Sequence, residues 1–467
     1  MVKPLDTDAM PDQAHFLTTR RRFLSAAGVG GAAVGAGWGL LVFPAGRVAA
    51  APAPKMPGAR LTADFDATAA VWLGYDAGHE ALTAQLVNAL LPFVRIKMLV
   101  RDAAAQAKAW ALLRGHGQGR GQGRGLQVDQ IEFVQDARAP FFVRDAAVFG
   151  LDGGSRPFIV DFKWSFYGWA PWCRSRQQPA GSPGLDCERA DGSAVGELDQ
   201  WLADQQGWAS FQSNLAIEGG GVESNGQGLL IANSALWRSR NPRLAPAQLE
   251  SEIRRLPGVR KVIWLPHGLA HDPLHRSTIA GPYVGWGTGG HTDEFVRFAD
   301  ARTVLLAWVD DAQARRHPIA RLNQARMRAN YEVLAASTDQ DGKPLRVLKV
   351  PLPQTIERPV VLAADADITY SDQWSAASFA PKEGRRNGDT VRQVATSSYL
   401  NFVVANKVVL LPDYVPHGTA PAVQEQVRQI VGSAFPGRSV KFIDVGQTNW
   451  LGGGMHCATL NEPLGRS

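Results

Sequence analysis

The 467-residue sequence predicts an α/β protein on three observations. Short runs rich in β-branched residues recur along it, segments with helical spacing separate them, and single strands alternate with single helices nearly throughout. A chain of this length can bury a large core, as one big domain or two.

The first fifty residues read as an export leader. Thr19-Arg-Arg-Arg-Phe-Leu-Ser25 precedes an apolar, glycine-rich run from Ala26 to Pro44, and small residues close the segment at Val48-Ala-Ala-Ala51. A basic region, an apolar run and a small-residue cleavage site make a secretory signal, and paired arginines before Phe-Leu mark the twin-arginine type. A membrane anchor is the alternative reading, which the glycine-rich run and the A-x-A-like close disfavour. Residues 1–51 are therefore expected to direct export to the periplasm or beyond, with membrane contact only during that step. Pro-rich residues 52–60 read as a linker, and the fold is expected from Leu61 onward.

From there the elements follow in order. "AAVWLGYD" is a buried strand, "HEALTAQLVNALLPFV" an amphipathic helix and "RIKMLV" a second strand. "KVIWLP", "TVLLAWV", "RVLKVPLP", "NFVVANKVVLLPDY" and "SVKFIDV" are further strand-like runs, while "IARLNQARMRANYEVLAAST" and "PAVQEQVRQIVGSAF" carry helical spacing. No exact repeat is visible, but a strand-strand-helix-strand unit used several times fits this alternation.

Composition removes several function classes. The net charge is +6, and the leader holds five basic and three acidic side chains, leaving about +4 for the rest. That is too little to argue for nucleic acid. "RGHGQGRGQGRG" (114–125) lacks the Lys-Ser/Thr of a phosphate loop and any strand–turn–helix context, so it reads as a surface loop. His267, His271 and His275 stand four apart, a metal face if helical, but Pro266, Gly268 and Pro273 argue against a continuous helix.

The chain has three cysteines. Cys173 and Cys187 flank a polar, Pro/Gly-containing stretch whose spacing suits either a loop disulfide in an oxidising compartment or two unpaired thiols. Cys457, in "WLGGGMHCATLNEP", has no evident partner, and an odd cysteine in an exported protein is a candidate reactive thiol. A buried packing residue is the plainer alternative.

Three other stretches share that density of glycine and charge: "FFVRDAAVFG" (141–150), "IEGGGVESNGQG" (217–228) with "RNP" after it, and "GTGGHTDEFVRF" (287–298). Each alone suits ordinary solvated loop residues. Together they offer one thiol, one imidazole and three carboxylates. His291 and Asp293, two apart, share a side on an extended segment. Such a set suits a planar cation: carboxylates accept guanidinium N–H groups in pairs, and a bound cation beside Cys457 favours its thiolate.

The ordered set Arg144-Asp145, Glu218-x-Gly220, Asn225-Gly226-x-Gly228, Arg240-Asn-Pro242, Trp264-Leu-Pro266, Gly290-His-x-Asp293, Ser398-Tyr-x-Asn-Phe402 and His456-Cys-x-Thr459 resembles the agmatine deiminase and bacterial-type peptidylarginine deiminase family, from about Met56 to Pro463. The resemblance implies a pentein fold over 61–467 as one catalytic domain: five ββαβ-type units around a pseudo-fivefold axis, with neither metal nor cofactor. It implies that Cys457 attacks a guanidinium carbon and that His291 protonates departing ammonia, then activates water. Asp145 and Asp293 would hold the guanidinium nitrogens, with Glu218 supporting the cation or His291. Phe142, Arg144 and Asn401 are the further substrate-binding expectations, and Glu223 is expected to be a bystander. Agmatine is the default substrate and peptidyl-arginine the runner-up. A non-catalytic exported binding protein is the rival, which has no need of the nucleophile.

Several positions depart from the family pattern. Phe142 stands where a stacking Trp is usual, and Ala147-Val148 replace a Gly-Pro turn after Asp145. About fifteen residues, "PLHRSTIAGPYVGWGTG", look inserted before Gly290.

Overall fold

A computed structural model describes residues 56–116, 130–176, 187, 194–364, 366 and 372–465. The leader over 1–51 lies outside these residues, as does the low-complexity loop beyond His116. The described residues belong to one compact unit starting at Pro52.

Five sheets repeat one pattern: a short strand pairs antiparallel with the next, which pairs in parallel with a third. In the first, Thr459–Pro463 runs antiparallel to Thr68–Gly74, and Glu80–Leu90 crosses over to the parallel Arg95–Val100. The second joins Val148–Leu151, Pro157–Lys163 and Ala209–Ala216. Then come Glu223–Ser224, Leu229–Asn233 and Lys261–Leu265. The fourth has Val296–Phe298, Thr303–Trp308 and Arg346–Pro351, crossed by helix Pro318–Ala335. In the fifth, Val403–Ala405, Val408–Pro412 and Ser439–Ile443 are linked by helix Pro421–Ala434. "NFVVANKVVLLPDY" is thus a hairpin rather than one strand. Leu229–Asn233 and Val408–Pro412 are buried at every position, as parallel strands covered on both faces must be.

Two sequence expectations change. Residues 56–60 are not free linker: Met56 packs on the core and Arg60 pairs with Leu151. The segment's prolines end at Pro57, ahead of the edge strand Arg60–Leu61, so they remove no N–H from the ladder. The apparent insertion before Gly290 folds as the hairpin Leu274–Ala280 and Tyr283–Thr288, which joins Thr390–Val394 and Glu357–Val361 in a sixth sheet. His271, Nε2 3.0 Å from the Ser397 carbonyl, and His275, packed on Trp172, do not form a metal face. Cys173 and Cys187 form a disulfide with Cα atoms 5.4 Å apart.

Candidate active site

Each of the five repeats is preceded by a short turn, and these turns carry the chemistry. Asp145 precedes the strand at Val148, Glu218 the one at Glu223, His291 and Asp293 the one at Val296, Asn401 the one at Val403, and Cys457 the one at Thr459. The turns close into a ring. Gly220 N–H donates to Asp145 Oδ1 at 2.9 Å, and Glu218 Oε2 lies 3.2 Å from His291 Nε2. Asn401 Nδ2 donates to Glu294 Oε1 at 2.9 Å and to Cys457 Sγ at 3.2 Å. Arg144 N–H donates to the Cys457 carbonyl at 3.0 Å, returning to the starting turn. Five segments spread over some three hundred residues thereby meet at one point.

Glycines allow this approach. A Cβ on Gly220 would lie 2.5 Å from His291 Nδ1 and 3.0 Å from both Asp145 and Asp293. One on Gly454 would sit 2.4 Å from Asn401 Oδ1. The glycine run before Cys457 is therefore room for neighbouring side chains.

Cys457, His291, Asp145 and Asp293 are 3%, 0%, 5% and 1% exposed, so the reactive atoms are closed off from solvent. Burial pushes the Cys457 thiol well up, and Asp293, Glu294 and Asp145 push the same way. Burial pulls His291 down, but Asp145, Glu218 and Asp293 outweigh it and raise its pKa to about 9. Burial raises Asp145 to about 6. Glu218 resists burial because Arg240 and His291 face it, which holds it at about 2. Near neutral pH these shifts leave a neutral thiol beside an imidazolium.

Each carboxylate has a scaffold side. Asp293 Oδ2 faces His456 Nδ1, while Oδ1 has no partner. Arg240 Nε donates to both oxygens of Glu218, at 2.9 and 3.0 Å. Asp272 Oδ2 accepts from the Gly290 and His291 N–H groups and sets the turn that presents the imidazole. Phe142 stands beside Gly453, itself next to the sulfur.

Two expected roles do not fit their placement. Arg144 aims its guanidinium at Asp64 Oδ1, 3.1 Å, and at the Thr459 carbonyl, 2.9 Å, so it braces the Cys457 turn from behind rather than meeting a substrate. Glu223 is no bystander: it is buried, 3.2 Å from Arg297 Nε, and accepts from Phe298 N–H at 2.6 Å. Position in sequence cannot show this, because the groups both side chains meet, Asp64 and Thr459 for Arg144 and Arg297 and Phe298 for Glu223, lie far along the chain.

Other contributors escaped sequence reasoning. Tyr167 O–H donates to Asp145 Oδ2 at 2.9 Å, and Ser165 O–H donates to Glu218 Oε1 at 3.3 Å. The aromatic "FKWSFYGWA" directly after a strand was the available signal. Glu294 is buried with one oxygen unpartnered. Donor atoms of Asp293, Glu294 and Cys457 lie within 4.8 Å of one another. The Asn401 amide points an N–H into that cluster, oriented by His456 N–H donating to its Oδ1 at 2.8 Å, which suits a thiolate better than a cation. Among the described residues, no helix is long and apolar enough to cross a membrane.

The family model for Porphyromonas-type peptidyl-arginine deiminase matches residues 52–463. The agmatine deiminase of Pseudomonas fluorescens is 28% identical over 376 residues, 78% of this chain and 85% of that one. That of Medicago truncatula is 24% identical over 418 residues, covering 88% and 98%. Among solved structures, the Enterococcus faecalis agmatine deiminase, described as catalysing its reaction, superposes with a TM-score of 0.63 at 20% identity, covering 88% of this chain and 98% of that one. The shared fold is the pentein fold.

Proposed function

Since the chain belongs to the Porphyromonas-type peptidyl-arginine deiminase family, we propose that it is a cysteine-dependent deiminase converting a guanidinium to a ureido group and ammonia, with agmatine as substrate. The carrying observation is the closed ring of five turns, which buries one thiol, two imidazoles and several carboxylates around an unpartnered Asp293 oxygen.

Asp145 and Asp293 accept the guanidinium N–H groups. The entering cation offsets the charge that holds the thiol protonated, so the thiol proton passes to solvent as the substrate arrives and is regained when the sulfur is released. The Cys457 thiolate attacks the guanidinium carbon. His291, protonated in the empty site, gives its proton to the departing nitrogen, and ammonia leaves a thiouronium adduct. Neutral His291 then takes a proton from water, whose oxygen adds to the same carbon and displaces the sulfur. One water is consumed, and the ureido product and ammonia are released.

Burial of the reactive atoms favours a small free guanidine over one fixed in a protein. Peptidyl-arginine is the second reading, favoured by the description of the matching family. We further propose export by the twin-arginine route, with the Cys173–Cys187 bridge supporting an oxidising destination. Ureido product measured side by side from agmatine, free arginine and an arginine-containing peptide tests the proposal. Turnover of agmatine above the other two is expected. Preference for the peptide overturns the substrate, and product from none overturns the activity.

A further inference from the structure

The two clamp carboxylates are not equivalent in their partners. In each, one oxygen belongs to the scaffold: Asp145 Oδ1 accepts from Gly220 N–H and Asp293 Oδ2 faces His456. The other oxygen of Asp293 has no partner, whereas that of Asp145 accepts from the Tyr167 hydroxyl at 2.9 Å. Resting on the deiminase reading, we propose that Tyr167 gates the guanidinium site: its hydroxyl occupies on Asp145 the place a substrate N–H must take, and its ring determines which guanidines enter.

Tyr167 is built as a plug. It is half-buried, while Asp145, which it touches, and Cys457 are buried. Its ring lies 6.0 Å from the His291 ring and makes an edge contact with Trp164 at 5.4 Å. Phe166, Tyr167 and Gly168 are three successive left-handed residues, with φ of 48°, 58° and 72°. For the two that are not glycine this conformation is strained, and such strain persists only where the surroundings enforce it.

Those surroundings are firm. Before the tyrosine, the Ser165 hydroxyl donates to Glu218 Oε1 and the Ser165 carbonyl accepts from Gly168 N–H at 3.1 Å. After it, helix Trp169–Arg174 is tied by the Trp172 indole to the Arg276 carbonyl at 3.2 Å and by Cys173 to Cys187. With both ends fixed, the side chain is the element left to swing. An ionised carboxylate oxygen buried without a donor is costly, so the hydroxyl stabilises the empty site. A guanidinium replaces it with a charged donor, which makes the stronger bond.

A gate has to be displaced, so removing its hydroxyl helps binding. Tyr167→Phe should lower the KM for agmatine by about tenfold to a hundredfold, roughly the effect of one hydrogen bond to a charged group, and kcat/KM should rise through KM. A support for Asp145 would do the opposite, so a raised KM or a fall in kcat/KM overturns the proposal.

Tyr167→Ala supplies a second readout needing no turnover. With Cys173 and Cys187 bridged, iodoacetamide without reductant reports on Cys457 among the three cysteines. Alkylation of Tyr167→Ala should be at least about tenfold faster than wild type, and arginine-peptide turnover relative to agmatine should rise. Equal alkylation rates in the two folded proteins overturn the gate. Faster alkylation with no guanidine turned over by either protein leaves the gate standing and removes the deiminase reading instead.

Discussion

His456 Nδ1 lies 2.7 Å from Asp293 Oδ2, and the same ring's Nε2 lies 2.5 Å from Asp64 Oδ2. The imidazole next to the nucleophile is therefore a strut between two acids, with Arg144 and Arg297 also holding Asp64. Its predicted role is to keep Asp293 turned so that the other oxygen faces the substrate. His456→Ala should lower kcat/KM by about 10²-fold or more, as loss of a positioning contact does, while a melting scan still shows a cooperative fold. Near wild-type kinetics would remove that role.

Cys457→Ser should abolish ammonia release without unfolding the protein. Burial and three carboxylates already oppose ionisation of the thiol, and an alcohol is far harder to ionise. Circular dichroism checks the fold and an ammonia assay the loss. Substantial turnover by the variant would falsify the assignment of Cys457.

The clamp separates charge from shape. Asp145→Asn and Asp293→Asn each retain an oxygen for the scaffold contact, yet should cost roughly 2–5 kcal/mol in transition-state binding, as loss of one member of a buried charge pair does. The control is Glu332→Gln, an exposed helix position expected to match wild type in the same assay. If both aspartate variants kept wild-type kcat/KM, the guanidinium would have to bind elsewhere.

Glu223 should govern stability instead. Glu223→Ala removes the carboxyl facing Arg297 and leaves the buried Phe298 N–H without its acceptor, at a cost of about 1–3 kcal/mol. Chemical denaturation should show a lower midpoint with an unchanged slope, and turnover by the protein that remains folded should be retained. An unchanged midpoint would contradict this placement.

Activity should describe a bell in pH. Asp145, raised to about 6 by burial, takes up a proton below that pH and loses its grip on the cation. His291, raised to about 9 by its carboxylates against burial, is protonated below that value and ceases to be a proton donor above it. A profile of kcat/KM for the free enzyme should therefore fall below about pH 6 and above about pH 9. A basic limb that ran on unchanged through pH 10 would exclude His291 as the acid.

By itself, the sequence determined the α/β alternation, the reactive residue types and their family order. These are local properties: period two and period 3.6 are readable over a few residues, and a thiol or carboxylate carries its chemistry wherever it stands. Asp145, Glu218, His291, Asp293, Asn401 and Cys457 were nameable on that basis. Only the tertiary structure decided what each faces. Parallel crossovers carry every repeat back to the same side, so turns hundreds of residues apart close one ring, and no local pattern encodes that return. The same long-range pairing turned Arg144 outward to Asp64, buried Glu223 under Arg297, folded "PLHRSTIAGPYVGWGTG" into a sixth sheet and hung Tyr167 over Asp145. A side chain's direction follows from its backbone's partners, and those partners are set by the whole chain.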